Sequence, residues 1–155
     1  MELLTPDIRI GLRANAAASI AIHGAYDPAP LLKLFNPLGA ATWLATELDS
    51  DGDTLFGLAD LGFGYPELGY FSLSEIAALR LPFGLGIERD IGFSSVVPLS
   101  IWADFARQAG SILGAQHLLR PVEAHHRARA EAADNPGDAT TPNPDPLPPS
   151  DTGGG

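Results

Sequence analysis

Three carboxylates, Glu47, Asp60 and Glu67, lie in a stretch that runs from Lys33 to Arg80 with no basic residue between those two. Paired carboxylates do general acid–base work when their surroundings push their pKa values apart. If the three meet on one sheet edge, they form a cluster of that kind. The rest of an active site is missing: no nucleophile–base pair stands out, and the histidines before residue 121 are His23, at an expected helix end, and His117. The three are therefore read as a solvated acidic face, with no residue assigned as catalytic. Glu67 differs, because Tyr65, Pro66, Leu68 and Tyr70 surround it. Buried there it would need a cation such as Arg80 or Arg89, in a structural role.

Asp49, Asp51 and Asp53, with Asp60 further on, imitate the oxygen ligands of a calcium loop. The glycine of such a loop belongs at its sixth position, where Thr54 stands, and the flanks read as strands. Asp51-Gly52 is instead a hairpin signal, since both central residues of that turn need positive φ. The three aspartates are thus weak metal candidates, and no metal or other cofactor is expected. Gly57, Gly62, Gly64 and Gly69 lack the spacing and the lysine of a phosphate loop, and are read as places of bend and close strand approach. Phe63, Tyr65, Tyr70 and Phe71 form either core or an exposed aromatic patch rimmed by acids. His125 and His126 sit in a segment without an apolar stripe and are read as inert.

The elements that must position these residues follow from caps and periodicity. Thr5-Pro6-Asp7 opens a helix with a capping hydroxyl, a proline where no helix bond is lost, and an acid on the dipole. Ile8, Leu12, Ala16 and Ile20 make its ridge, and Gly24 is the expected left-handed residue after it. Strands are expected at 31–35, 42–48, 54–61 and 68–71, as an antiparallel meander, with an edge-like fifth at 87–93. In the second strand, Thr42, Leu44, Thr46 and Leu48 are expected on one face and Trp43, Ala45 and Glu47 on the other. Ser72-Leu73-Ser74-Glu75 is a capping box for a short helix. Ser100 is the expected cap of a helix on which Trp102, Phe105, Ala106 and Ala109 share a face, closed by Gly110. Residues 112–119 read as a last short element.

The fold class is therefore α+β: a small, mostly antiparallel sheet of four or five strands with an N-terminal helix and two later helices packed on it. Residues 1–120 are expected as one compact domain. Residues 121–155 read as an acidic tail rich in Pro and Gly, partly helical at its start and then disordered. The formal charge of the 155 residues is −10. Residues 1–120 carry 13 acidic and 7 basic side chains, and residues 121–155 carry 6 and 2, so both parts are acidic. Without clustered Lys and Arg, direct binding to nucleic acid or to anionic membranes is disfavoured. A protein partner with a basic surface fits better. Absence of cysteine excludes disulfides and thiolate metal sites. Asp7, Arg9 and Arg13 interrupt the apolar N-terminus, so no signal peptide is expected and the location is read as cytoplasmic.

At the segments KLF, GAATWLATELD, FGLADLGFGYPELGY with SLSE, and GLGIERD, the chain resembles the domain-of-unknown-function family 2958. The resemblance covers roughly residues 1–115, misses the tail, and implies a short bacterial protein of the kind carried on plasmids and other mobile elements. It implies no reaction and no catalytic residues. Glu47, Asp60, Phe63, Tyr65, Glu67 and Tyr70 remain as candidates for a binding surface. The reading is a non-catalytic accessory protein that binds another protein. Two alternatives are a DNA mimic that inhibits a nucleic-acid enzyme and a carboxylate- or metal-dependent hydrolase.

Overall fold

The structure is a computed structural model that describes residues 2–134. The tail expected to be disordered, from residue 135 on, lies outside the described residues. Helix α1 (Pro6–Ala21) begins as its sequence dictates, with the Thr5 hydroxyl accepting from the Ile8 amide at 3.2 Å and Asp7 in the first turn. It ends differently. The Gly24 amide donates to the Ser19 carbonyl at 2.9 Å and the His23 amide to that of Ile20 at 3.3 Å. Gly24 is left-handed as expected, at φ 78°, but His23 before it is left-handed too, at φ 53°, and takes the position directly after the cap.

The described residues form one antiparallel sheet in the order β4-β3-β2-β1-β5, from β1 (Leu32–Phe35), β2 (Thr42–Leu48), β3 (Thr54–Asp60), β4 (Glu67–Ser72) and a two-residue β5 (Glu88–Arg89). The first four strands are the expected meander, and β5 returns to pair outside β1. Together with α1, α2 (Leu73–Ala77), α3 (Leu99–Ala109) and α4 (Ile112–Asp134) this is the expected α+β fold.

Both faces of the sheet are covered, which explains why β2 shows no clear polar side. Trp43, Ala45, Leu48, Leu55, Leu32 and Leu34 pack with Leu3, Leu4, Leu12, Ile76 and Ile87 on one face. Leu44 and Leu58 pack under Trp102, Ala106, Ile112 and Ala115 of α3 and α4 on the other. A bulge between Ala45 and Glu47 changes the alternation of β2. Leu48 therefore joins the face of Trp43 and Ala45, while Glu47 pairs with Phe56 on the face of Leu44. The assignment of Glu47 to the face of Trp43 is corrected on this ground. Opposite the bulge, a Cβ on Gly57 would stand 1.8 Å from the Leu44 carbonyl oxygen, so only glycine fits.

Among the described residues the β2 edge beyond Ala45 has no partner strand, because β1 begins opposite that residue. Helix α1 covers it: Asn15 Nδ2 donates to the Thr46 carbonyl at 2.9 Å and an Arg13 guanidinium nitrogen to that of Leu48 at 2.8 Å. Buried backbone acceptors are satisfied in this way.

Remote aspartates cap the later helices. Ser72 caps α2 as expected, accepting from the Glu75 amide, while Asp53 of the β2–β3 turn accepts from the Ser72 hydroxyl and the Ser74 amide, each at 2.7 Å. For α3 the expected cap is corrected. Ser100 lies inside the helix, and both its amide and its hydroxyl donate to Asp27. Gly110, at φ 76°, closes α3 as expected. The element expected as short and ending near 119 is a long helix that runs through Pro121 to Asp134. Its later part is held by Glu123, which accepts from the Ser95 hydroxyl and the Val96 amide, and by Arg127, which donates to Ser94. No apolar stripe is needed for such polar anchoring, so periodicity does not reveal it.

Two substitutions test this architecture. Gly57→Ala forces β2 and β3 apart at the bulge and is expected to cost roughly 3 kcal/mol or more, read by urea denaturation. Asp60→Ala leaves the buried Ile112 amide without its acceptor and is expected to cost about 3 kcal/mol, with Asp60→Asn recovering part of it.

Candidate functional site

The sequence-predicted site residues separate into three groups. Asp60 is fully buried: its carboxylate accepts from the Gly62 amide and from the Ile112 amide at the start of α4, both at 2.9 Å. It is a helix cap inside the core, not a surface group, and its candidacy is corrected for that reason. Asp49, Asp51 and Asp53 lie in the expected β2–β3 hairpin connection, but Gly52, at φ 71°, takes positive φ there and Asp51 does not, so the turn with both central residues left-handed is not formed. Asp51 accepts from the amides of Asp53 and Thr54 and from the Thr54 hydroxyl, so its oxygens are engaged within the turn. Among the described residues no three His, Cys, Asp or Glu side chains come together to hold a metal ion.

The three carboxylates do not converge. Asp60 pairs with Thr42 at one end of the β2–β3 ladder and Glu47 with Phe56 near the other, about 15 Å away at the rise of a strand. Glu67 pairs with Ala59 and is exposed, with its side chain on the opposite face from Asp60. The cation expected for a buried Glu67 is therefore not required, and Arg89 donates instead to the Glu2 carbonyl at 2.7 Å.

The remaining candidates lie along the outermost strand. Among the described residues strand β4 pairs only with β3, and it is exposed at Glu67, Leu68 and Tyr70 and half-buried at Gly69, Phe71 and Ser72. Tyr70 is 76% exposed, with its ring 5.1 Å from that of Phe56, and Leu68 lies on the same side of the strand. The β3–β4 loop adds Phe63 and Tyr65, 79% and 81% exposed, on either side of Gly64, whose φ of 89° turns the chain. Phe71, pointing the other way, is half-buried against the core. The alternation of β4 thus divides the four aromatics, a split that composition alone does not decide.

Beside Tyr70 a cleft of about 340 Å³ opens between the C-terminal end of α1 and the sheet. Glu47, Phe56 and Tyr70 form its floor, and Ser19, Ile20 and His23 its α1 wall. Ser19, Ile20 and His23 were not singled out by their sequence context. The left-handed His23 would have been visible only from knowing where the helix ends, and Ile20, expected in the ridge, is 77% exposed. Partial burial raises the Glu47 pKa above its ordinary value, against the opposing pull of the Ser19 hydroxyl.

A family model described as "Protein of unknown function (DUF2958)" matches residues 3–113, which span the sheet, α1, α2 and α3. The chain belongs to this family. The match includes the β4 edge and the Glu47 cleft but stops as α4 begins. No curated protein and no solved structure matches the chain. No helix among the described residues is long and apolar enough to cross a membrane.

The carboxylates of the site and of the turn respond to pH in opposite senses. For Glu47 the folded pKa lies above the unfolded one, so stability rises as pH falls through that window and is lost as pH rises. Asp51 is lowered chiefly by the Thr54 hydroxyl and Asp53 chiefly by the Ser72 hydroxyl. Their stabilisation is present above the unfolded value and lost as pH falls through the folded one. A carboxyl-carbon NMR titration is expected to place Glu47 above the ordinary glutamate range and Asp51 and Asp53 below that of aspartate. Glu47→Gln should flatten the upper part of the stability–pH curve only.

Proposed function

We propose that this protein is a non-catalytic binding module that takes an extended, basic segment of a partner protein onto the β4 edge. The observation that supports the reading is an outermost strand with, among the described residues, no partner on its outer side, bearing Leu68 and Tyr70 and continued by the exposed Phe63 and Tyr65. An exposed edge strand offers main-chain donors and acceptors to an added strand, while alternate side chains supply pockets. Exposed tyrosines give large contact area at low entropic cost, the usual make-up of an interface hot spot.

Charge selects the occupant. The chain carries −10, and Glu47 and Glu67 stand on the two faces beside this edge. Arg107, which borders Tyr65 and Glu67, is engaged at 3.4 Å by Asp104. A cationic strand therefore meets a favourable field, and a polyanion does not. The setting of a mobile genetic element, and a cytoplasmic location, belong to this proposal as its natural context.

The alternatives fare less well. A DNA mimic needs a row of carboxylates, whereas Asp27, Asp53 and Asp60 cap helices and Asp90 pairs with Lys33. The hydrolase reading needs Glu47, Asp60 and Glu67 in one pocket, and they lie apart.

A peptide of alternating lysine and valine, titrated into isotopically labelled full chain, tests the proposal. Saturable amide shifts are expected along residues 65–72, with slowed exchange of outward β4 amides. Tyr70→Ala should weaken binding by about tenfold, and Glu47→Lys with Glu67→Lys should reverse the preference toward an alternating glutamate–valine peptide. Shifts spread over the whole surface, or affinity unaffected by these changes, would overturn it.

A further inference from the structure

A second cleft, of about 420 Å³, lies on the far side of the sheet from the β4 edge. It opens between β1, the turn that follows it, the segment 89–92 and the first turn of α4. We propose that this cleft binds a small carboxylic acid with an apolar body. The inference is independent of the binding role assigned to β4.

The unusual element is Lys33. It stands in β1 opposite Leu44, with its side chain on the face that α3 and α4 cover, and is only 7% exposed. A lysine there costs stability relative to an apolar residue unless its ammonium is paired. Asp90 Oδ2 lies 3.2 Å from its Nζ and Gln116 Oε1 lies 2.7 Å away. An ammonium has three N–H groups, and the described residues provide these two acceptors, so one donor remains for a ligand. One further donor borders the cleft. Asn36 turns its Oδ1 to the Leu38 amide at 2.8 Å, which leaves its NH₂ group free to donate. Arg89 is not a second such donor: it pairs with Leu34, so its side chain lies on the other face of the sheet, where it donates to the Glu2 carbonyl.

Within the cleft Asp90 offsets the Lys33 ammonium, which leaves it without net charge in a strongly acidic chain. Its apolar walls are Phe35, Ile91 and Leu113, and the hydroxyl of Thr42, which also lines it, is given to the Ala40 carbonyl. A volume of this size, mostly apolar with a few convergent polar groups, is the usual form of a small-molecule site. A carboxylate meets Lys33 and Asn36, and its carbon chain lies on Phe35, Ile91 and Leu113. Asp90 opposes a bulkier, more highly charged anion, which favours a carboxylate over a phosphate.

The test uses the full chain and hexanoate, with hexanamide and inorganic phosphate as controls, read from the backbone amides of Asn36, Ile91 and Leu113. Hexanoate is expected to shift all three saturably below about 10 mM. Hexanamide and phosphate should bind at least about tenfold more weakly, for want of the charge and of the apolar contact respectively. Lys33→Met should abolish the response. Because that variant also strands Asp90, Leu113→Trp serves as a second: residue 113 is 49% exposed, and the larger side chain fills the cleft without entering the core. Equal binding of acid and amide, equal binding of phosphate, an unchanged response in Leu113→Trp, or no saturable shift in wild type would each overturn the proposal.

Discussion

The carboxylate of Asp60, wholly inside the protein, ties the end of β3 to the first amide of α4. An anion at a helix N-terminus meets both free N–H groups and the positive end of the dipole, which offsets the cost of removing it from water. The whole α3–α4 layer is located by that contact. Ile112 beside it, with Ala115 and Leu119 one and two turns on, packs with Leu44, Leu58 and Trp102, so the position of α4 decides whether that half of the core closes. Asp53 does the same for α2 and Asp27 for α3, each from a loop far away in sequence. The starts of α2, α3 and α4 are thus held by tertiary contacts, whereas α1 is capped locally by Thr5, and the hydrophobic layers follow from where the helices are held.

This use of aspartate changes what the negative charge means. A net charge of −10 suggests a surface field, yet several of the acids behind it are committed to internal bonds. Charge reversal at random would therefore confuse loss of fold with loss of binding. Glu47 and Glu67 are the informative positions, since neither caps a helix and both sit beside the exposed strand.

Much of the fold is legible in the sequence because its signals are local. The β2 strand, the Asp51-Gly52 turn, the Thr5 and Ser72 caps and the Gly110 closure each depend on residues within a few positions of one another. What escapes depends on distant pairs. Ser100 satisfies the local rule for a cap, but Asp27 supplies the acceptor. Helix α4 lacks an amphipathic stripe past Pro121 and is held there by Ser94, Ser95 and Val96 instead. The bulge in β2 is written only in Gly57, one strand away, whose missing Cβ permits the close approach of Leu44. That single irregularity moves Glu47 to the other face, so strand periodicity was bound to misplace it.

The candidate site follows the same division. Tyr70, Tyr65 and Phe63 could be picked out as types suited to a contact surface, but whether they face water depends on β4 being outermost. Had another strand or helix covered that edge, the same residues would be core. Sheet order is a global property, and the LGFGYPELGYFS segment contains nothing that fixes it. The Lys33 cleft lay further out of reach, since a lone lysine in a strand reads as an ordinary edge charge. Burial, the Asp90 and Gln116 partners and the apolar walls give it meaning, and these come from three separate stretches of chain. The two clefts therefore differ in kind. The one beside β4 belongs to an open strand with a charged border, suited to a polypeptide, whereas the one at Lys33 sets a paired ammonium among apolar walls, suited to a small molecule.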